Sequence, residues 1–171
     1  HQSTFYGNKA GRSGGAITID SSVVLLNEVS FESNTALDSG GAVRATSEFV
    51  GSAIRGNGLH LVNNIAGNGG GVFAVLGSNL DLKNRTNASD NTALGADGGG
   101  FLVAEASTIK MSESSFHNMQ ALVSEGGAFN VMGSMVHLSG INISGALARS
   151  SGGAIASQLT TLQIYDSRII G

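Results

Sequence analysis

The sequence predicts an all-β fold, a parallel β-helix solenoid of about six coils, and three observations predict it. A unit clearest in Phe31 to Val43, FESNTALDSGGAV, recurs about every 26 to 29 residues: a large apolar residue, Asn three places on, Ala two further, a Gly-Gly pair, then a small and a large apolar residue. Self-similarity at such a period marks stacked coils. The 171 residues include 26 Gly and no Pro. Ordinary loops use both, whereas a proline in a stacked strand removes a ladder donor, so tight stacking explains the pairing. Finally, apolar residues alternate with polar ones in short runs, as in Ile17 and Ile19, Val24 and Leu26, Val29 and Phe31. A period of two gives three strands per coil, each with one buried face.

The coils follow in order as a single segment over residues 1–171, with copies near 5–30, 31–60, 61–87, 88–115, 116–142 and 143–171. The first places Phe5, Asn8, Ala10, Gly14, Gly15, Ala16 and Ile17 in the repeat positions, and the second Phe31, Asn34, Ala36, Gly40, Gly41, Ala42 and Val43. The stretch from Thr46 to Gly58 is longer than its counterparts and reads as an insertion, with Gly56-Asn57-Gly58 as a loop signal. The third copy has Leu61, Asn64, Ala66, Gly69 to Gly71 and Val72; in the fourth, Ala88 takes the large apolar position, followed by Asn91, Ala93, Gly98 to Gly100 and Phe101. Volume lost at Ala88 calls for a neighbouring Phe to fill it. In the fifth and sixth copies Gly126-Gly127 precedes Phe129 and Gly152-Gly153 precedes Ile155, but Met119 and Ala146 stand where Asn is expected. The chain opens without Met and within a repeat, so it reads as a segment of a longer protein.

Stacking aligns equivalent positions. Ile17, Val43, Val72, Phe101, Phe129 and Ile155 are the expected inward row, each contributing about 1.5 to 3 kcal/mol when buried. Asn8, Asn34, Asn64 and Asn91 are expected to form a second row at a bend, their amides satisfying turn backbone or one another. The glycine pairs fit a corner that needs positive φ or close passage of one coil over the next.

FYGN followed by SGGAI, FESN followed by SGGAV, and the later GGAF and SGGAI resemble the FxxN and GGA[ILV] repeats of the chlamydial polymorphic outer membrane proteins, a family of autotransported surface proteins. The resemblance spans nearly the whole chain and departs from the pattern at Met119 and Ala146. It implies a right-handed β-helix passenger, extracellular or at the cell surface, with adhesion as its role and a host receptor or glycan among its partners. Similar repeats also occur in very long extracellular proteins of algae and protists. A structural part of an extracellular filament or assembly is therefore the rival reading, and a polysaccharide-active enzyme a third.

Composition limits the alternatives. A net charge of −3 with 12% charged residues offers no basic footprint for nucleic acid. There is no Cys, hence neither disulfide nor thiolate site, and no apolar run reaches a membrane span. No catalytic motif, cofactor site or phosphate loop emerges, since Gly98 to Gly100 lacks a following GK[ST]. The residues preceding the glycine pairs, Ser13, Ser39, Asn68, Asp97, Glu125 and Ser151, would stack outward, which puts Asp97 beside Glu125. Two carboxylates alone fall short of the six to eight oxygens of a Ca²⁺ site and read as solvated charge. His60, His117 and His137 lie in different registers and do not converge. Asp81 and Lys110 share an outward row and suggest a cross-coil ion pair. Three sequons begin at Asn84, Asn87 and Asn142, possible glycosylation sites after passage through a eukaryotic secretory route.

One face invites a partner. Outward positions on the first strand read as Thr18, Arg44, Phe73, Leu102, Asn130 and Ala156, so Phe73 and Leu102 would be large apolar residues in adjacent coils, flanked by Arg44 and Asn130. An apolar centre with a polar rim is the composition of an interface, either with a partner protein or with another copy of the chain. The expectation is a non-enzymatic repeat segment acting in adhesion or as a stalk.

Overall fold

A computed structural model describes residues 2–47, 51–96 and 98–171. Every strand pairs in parallel with its counterpart one coil away, which builds four sheets running along the solenoid axis. Sheet 1 contains Ser3–Tyr6, Val29–Glu32, His60–Val62, Asn87–Ser89, Ser115–His117, Asn142–Ser144 and Arg168–Ile170. Sheet 2 consists of two-residue strands, Lys9–Ala10, Thr35–Ala36, Ile65–Ala66, Thr92–Ala93, Gln120–Ala121 and Leu147–Ala148. Sheet 3 contains Ile17–Asp20, Val43–Thr46, Phe73–Leu76, Leu102–Glu105, Phe129–Met132 and Ile155–Gln158, and sheet 4 contains Val23–Asn27, Ala53–Asn57, Asn79–Lys83, Thr108–Ser112, Met135–Ser139 and Thr161–Tyr165. The described residues form no helix. Sheets 1, 3 and 4 are the three strands per coil that alternation predicts. Sheet 2 is additional, because a strand of two residues is too short to show a period.

The inward rows are continuous. On sheet 1 Phe5, Phe31, Leu61, Ala88, Phe116, Ile143 and Ile169 stack in register. Phe5 and Phe31 lie nearly parallel, their centroids 4.9 Å apart. The gap at Ala88 lies where rings gather: Phe101 meets Phe116 at 4.6 Å and Phe129 at 5.5 Å, and Phe116 meets Phe129 at 5.1 Å. Edge-on and tilted contacts of this kind add to the burial itself.

The sheet 3 row differs from the expected one. It runs Ile17, Val43, Phe73, Leu102, Phe129, Ile155. Val72 and Phe101 fall one position earlier, at the turn, level with Ala42 and Ala128: the amides of Ala42, Val72 and Phe101 donate to Val72, Phe101 and Ala128 in turn. The third and fourth coils have three consecutive glycines, and register follows the second and third of them. Gly70 and Gly99, like Gly40 and Gly126, have φ between +64° and +70°. At the following glycine, a Cβ on Gly41 would overlap the carbonyl oxygen of Gly71, and one on Gly71 that of Gly100. Each corner followed by another coil therefore needs one glycine for its φ and one for proximity to that coil.

The extra residues of the second coil lie between Thr46 and Ala53, where the neighbouring coil has only Gly77 and Ser78 between Leu76 and Asn79; Glu48, Phe49 and Val50 of this stretch lie outside the described residues. Gly56 and Asn57, expected in a loop, instead end a sheet 4 strand. Gly56 is level with the inward Leu26 and Leu82, and side-chain carbons of Leu82 and Leu59 occupy the space its missing side chain leaves.

Two polar ladders close the bends. Asn8, Asn34 and Asn64 each donate through Nδ2 to Oδ1 of the next Asn, at 2.8, 2.9 and 3.0 Å. The second ladder is hydroxylic. Ser22, Ser52, Ser78, Ser107, Ser134 and Thr160 each stand one residue before a sheet 4 strand. Ser78 and Ser107 donate their amides to the next Oγ at 3.2 and 3.1 Å, while Ser78, Ser107 and Ser134 donate Oγ–H to the carbonyl two residues back at 2.9, 2.7 and 2.8 Å. The ladder's sequence signal is a Ser or Thr at the coil period, displaced from the FxxN motif.

Candidate binding face

The shifted register overturns the apolar interface. Phe73 and Leu102 point inward and are fully buried, 0% exposed in both cases, so serine at either position would damage the core and could not report on a surface. The outward row of sheet 3 is Thr18, Arg44, Ala74, Val103, Asn130 and Ala156. Arg44 and Asn130 thus keep their outward places, but Ala74 and Val103 separate them. A second outward row, two residues along each strand, is Asp20, Thr46, Leu76, Glu105, Met132 and Gln158.

Part of these rows lines a trough, although Ala74 is itself fully buried. A depression of about 340 Å³ includes Leu76, Val103, Glu105, Glu125 and Met132, and a neighbouring one of about 470 Å³ includes Arg44, Thr46, Leu76 and Glu105. Leu76 and Glu105 belong to both, which makes the two continuous along the axis. Arg44 is half-buried, and its Nε is enclosed without a hydrogen-bond partner, whereas buried polar atoms ordinarily have one. Among the described residues the trough thus runs from Arg44 in the second coil, past Leu76 in the third, to Val103 and Glu105 in the fourth and Glu125 and Met132 in the fifth, with a cation toward one end and exposed carboxylates toward the other.

The remaining candidates are separate. Asp97 lies outside the described residues, and the column expected to hold it beside Glu125 is different. Gly14, Gly40, Gly70, Gly99 and Gly126 donate their amides to the carbonyls of Ser39, Gly69, Gly98, Glu125 and Ser151 in turn, so glycine occupies this position in the third and fourth coils. Glu125 Oε1 accepts from Ser151 Oγ at 3.2 Å. Among the described residues no group of His, Asp and Glu has the arrangement of a metal site. His60 and His117 are exposed, His137 is half-buried, and His117 and His137 contact Ser144 and Gln163 at 2.9 and 3.1 Å.

Asn84, Asn87 and Asn142 are all exposed. Asn87 and Asn142 share an outward row of sheet 1, with Ser115 between them; Ser115 Oγ donates to Asn87 Oδ1 at 2.6 Å. Asp81 and Lys110 are register neighbours on sheet 4, yet the Asp81 carboxylate pairs with Lys83 on its own strand at 3.3 Å. Residues two apart on a strand share a face, which brings Lys83 within reach. The Lys83 side chain is 61% exposed, so Lys83→Ala should lower stability by less than about 1 kcal/mol in a denaturation titration.

Residues 2–20 and 28–46 match the family model of the Chlamydia polymorphic membrane protein (Chlamydia_PMP) repeat. No curated protein and no solved structure matches the chain. The matched stretches contain FYGN with SGGAI and FESN with SGGAV.

Proposed function

We propose that the chain, a parallel β-solenoid carrying polymorphic membrane protein repeats, is a non-enzymatic segment displayed outside the cell, as part of an outer-membrane passenger, and that it acts in adhesion. No helix among its described residues is long and apolar enough to cross a membrane. The observation that carries this reading is the pairing of the family's repeats with a solenoid whose sheet 3 offers a continuous trough. An extended repeat array presents such lengthwise surfaces to partners.

Latex beads coated with the purified chain should attach to cultured epithelial cells in greater number than albumin-coated beads, and free soluble chain should compete the excess away. Equal attachment by the two kinds of bead would overturn the adhesive reading. For a polysaccharide-cleaving enzyme the same trough would have to turn over sugar; no reducing ends should appear from polyuronides. Release that disappears in Glu125→Gln would show the chain to be an enzyme.

A further inference from the structure

We propose that the trough on sheet 3 holds an extended peptide segment of a partner protein, placed along the solenoid axis, with an acidic side chain at Arg44, an apolar side chain over Leu76 and Val103, and a basic side chain at Glu105 and Glu125. The inference rests on the adhesive reading and supplies the chemistry of its partner.

The charge order argues for polypeptide. Arg44 forms no ion pair among the described residues, and the pair that does form there, Lys83 with Asp81, is on another sheet. A ligand that satisfies Arg44 must present an acceptor at that end, while Glu105 and Glu125 call for a donor or cation at the other. A uniformly anionic polysaccharide would meet Arg44 and be repelled by the two carboxylates, and a neutral one would leave all three charges uncompensated. Only a chain carrying both signs, with apolar groups between them, complements the whole length.

Spacing fits as well. Arg44 belongs to the second coil and Glu125 to the fifth, three strand spacings apart along the axis, or roughly 14 Å at about 4.8 Å per strand. Four residues of extended chain, at about 3.4 Å each, cover the same distance. Residues i, i+2 and i+4 of an extended segment face one way, so the segment recognised has the pattern acidic, any, apolar, any, basic. Its middle side chain arrives over Leu76 and Val103, where the trough is apolar.

Three blocked peptides test the assignment by fluorescence anisotropy against the intact chain: Asp-Thr-Leu-Thr-Lys, Asp-Thr-Leu-Thr-Asp and Lys-Thr-Leu-Thr-Lys, each labelled through a flexible flank. The mixed-charge peptide should bind at least tenfold tighter than either like-charged one. Arg44→Glu should reverse the ranking and make the doubly basic peptide the tightest. Glu105→Lys/Glu125→Lys changes two exposed residues and should favour the doubly acidic peptide, which keeps the test decisive even if Arg44→Glu fails to fold. The proposal is overturned if the mixed-charge peptide has no advantage, or if both charge reversals fold and leave the ranking unchanged. Bead attachment that persists while the peptides show no ranking would sink the peptide assignment and leave adhesion standing.

Discussion

Gly71→Ala should abolish the folded solenoid or destabilise it by more than about 4 kcal/mol, the range reached only through gross steric or polar disruption. The methyl group would overlap the Gly100 carbonyl oxygen of the next coil and come within 2.8 Å of Thr92 N and 2.9 Å of Thr92 C. All three are backbone atoms, so no side chain can turn aside to make room. Nor can the coils separate, because Gly71 itself donates to Gly99 O at 3.0 Å and the sheets on either side hold the spacing near 4.8 Å. With total stability of only about 5–15 kcal/mol for a domain, such a loss consumes most of it. Gly11→Ala supplies the control: nothing lies within 4 Å of its Cβ position and its φ is not in the left-handed region, so stability should change by under about 1 kcal/mol, on the stabilising side through the unfolded chain. Guanidinium unfolding midpoints of the two variants check the contrast, and similar midpoints would show that the coils slide apart more easily than argued.

How far the fold can be read from the residues depends on how many of them bear on each feature. Coil number, strand alternation and the Asn positions show in the sequence because the repeat restates each of them up to six times. Register fails at Gly69 to Gly71 and Gly98 to Gly100 for a local reason: any two of three glycines satisfy the pattern. The apolar pairs after them, Val72-Phe73 and Phe101-Leu102, are large at both positions, so hydrophobicity does not break the tie. Only the hydrogen bonds between coils do so, the amides of Gly41, Gly71 and Gly100 donating to the carbonyls of Gly70, Gly99 and Gly127. A one-residue slip exchanges the two faces of a strand, which is why it turned Phe73 and Leu102 from core into apparent surface. The serine ladder is legible in retrospect, but short hydroxylic residues are common in this chain and its period is blurred by the extra residues before Ala53. The trough depends on which outward rows converge with which turns, a three-dimensional fact that no single repeat contains.

Asn64→Ala should cost about 3–5 kcal/mol, and Asn8→Ala no more than about 1 kcal/mol, although the sequence motif treats the two alike. Asn64 is fully buried and every polar group of its amide is engaged: Nδ2 donates to Phe31 O at 2.9 Å and to Asn91 Oδ1 at 3.0 Å, and Oδ1 accepts from the Asn34 amide at 3.1 Å and from Asn34 Nδ2 at 2.9 Å. Truncation would strip partners from three residues in a dry interior, where an unmet group is most costly. Asn8 lies at the exposed start of the ladder, where water can replace what its side chain provides. At the other end, Asn91 Nδ2 donates to Leu61 O at 2.9 Å and, where the next asparagine oxygen would stand, meets the Met119 sulfur at 3.9 Å, a weak acceptor. Asn64→Asp separates hydrogen bonding from packing, because it preserves shape and volume but removes both Nδ2 donors and sets a carboxylate against the oxygens of Phe31 and Asn91. At neutral pH it should destabilise at least as much as Asn64→Ala, by urea unfolding monitored through circular dichroism. An Asn64→Asp protein within about 1 kcal/mol of the unmodified chain would mean that the asparagines fill space at the bend and that their directed bonds contribute little.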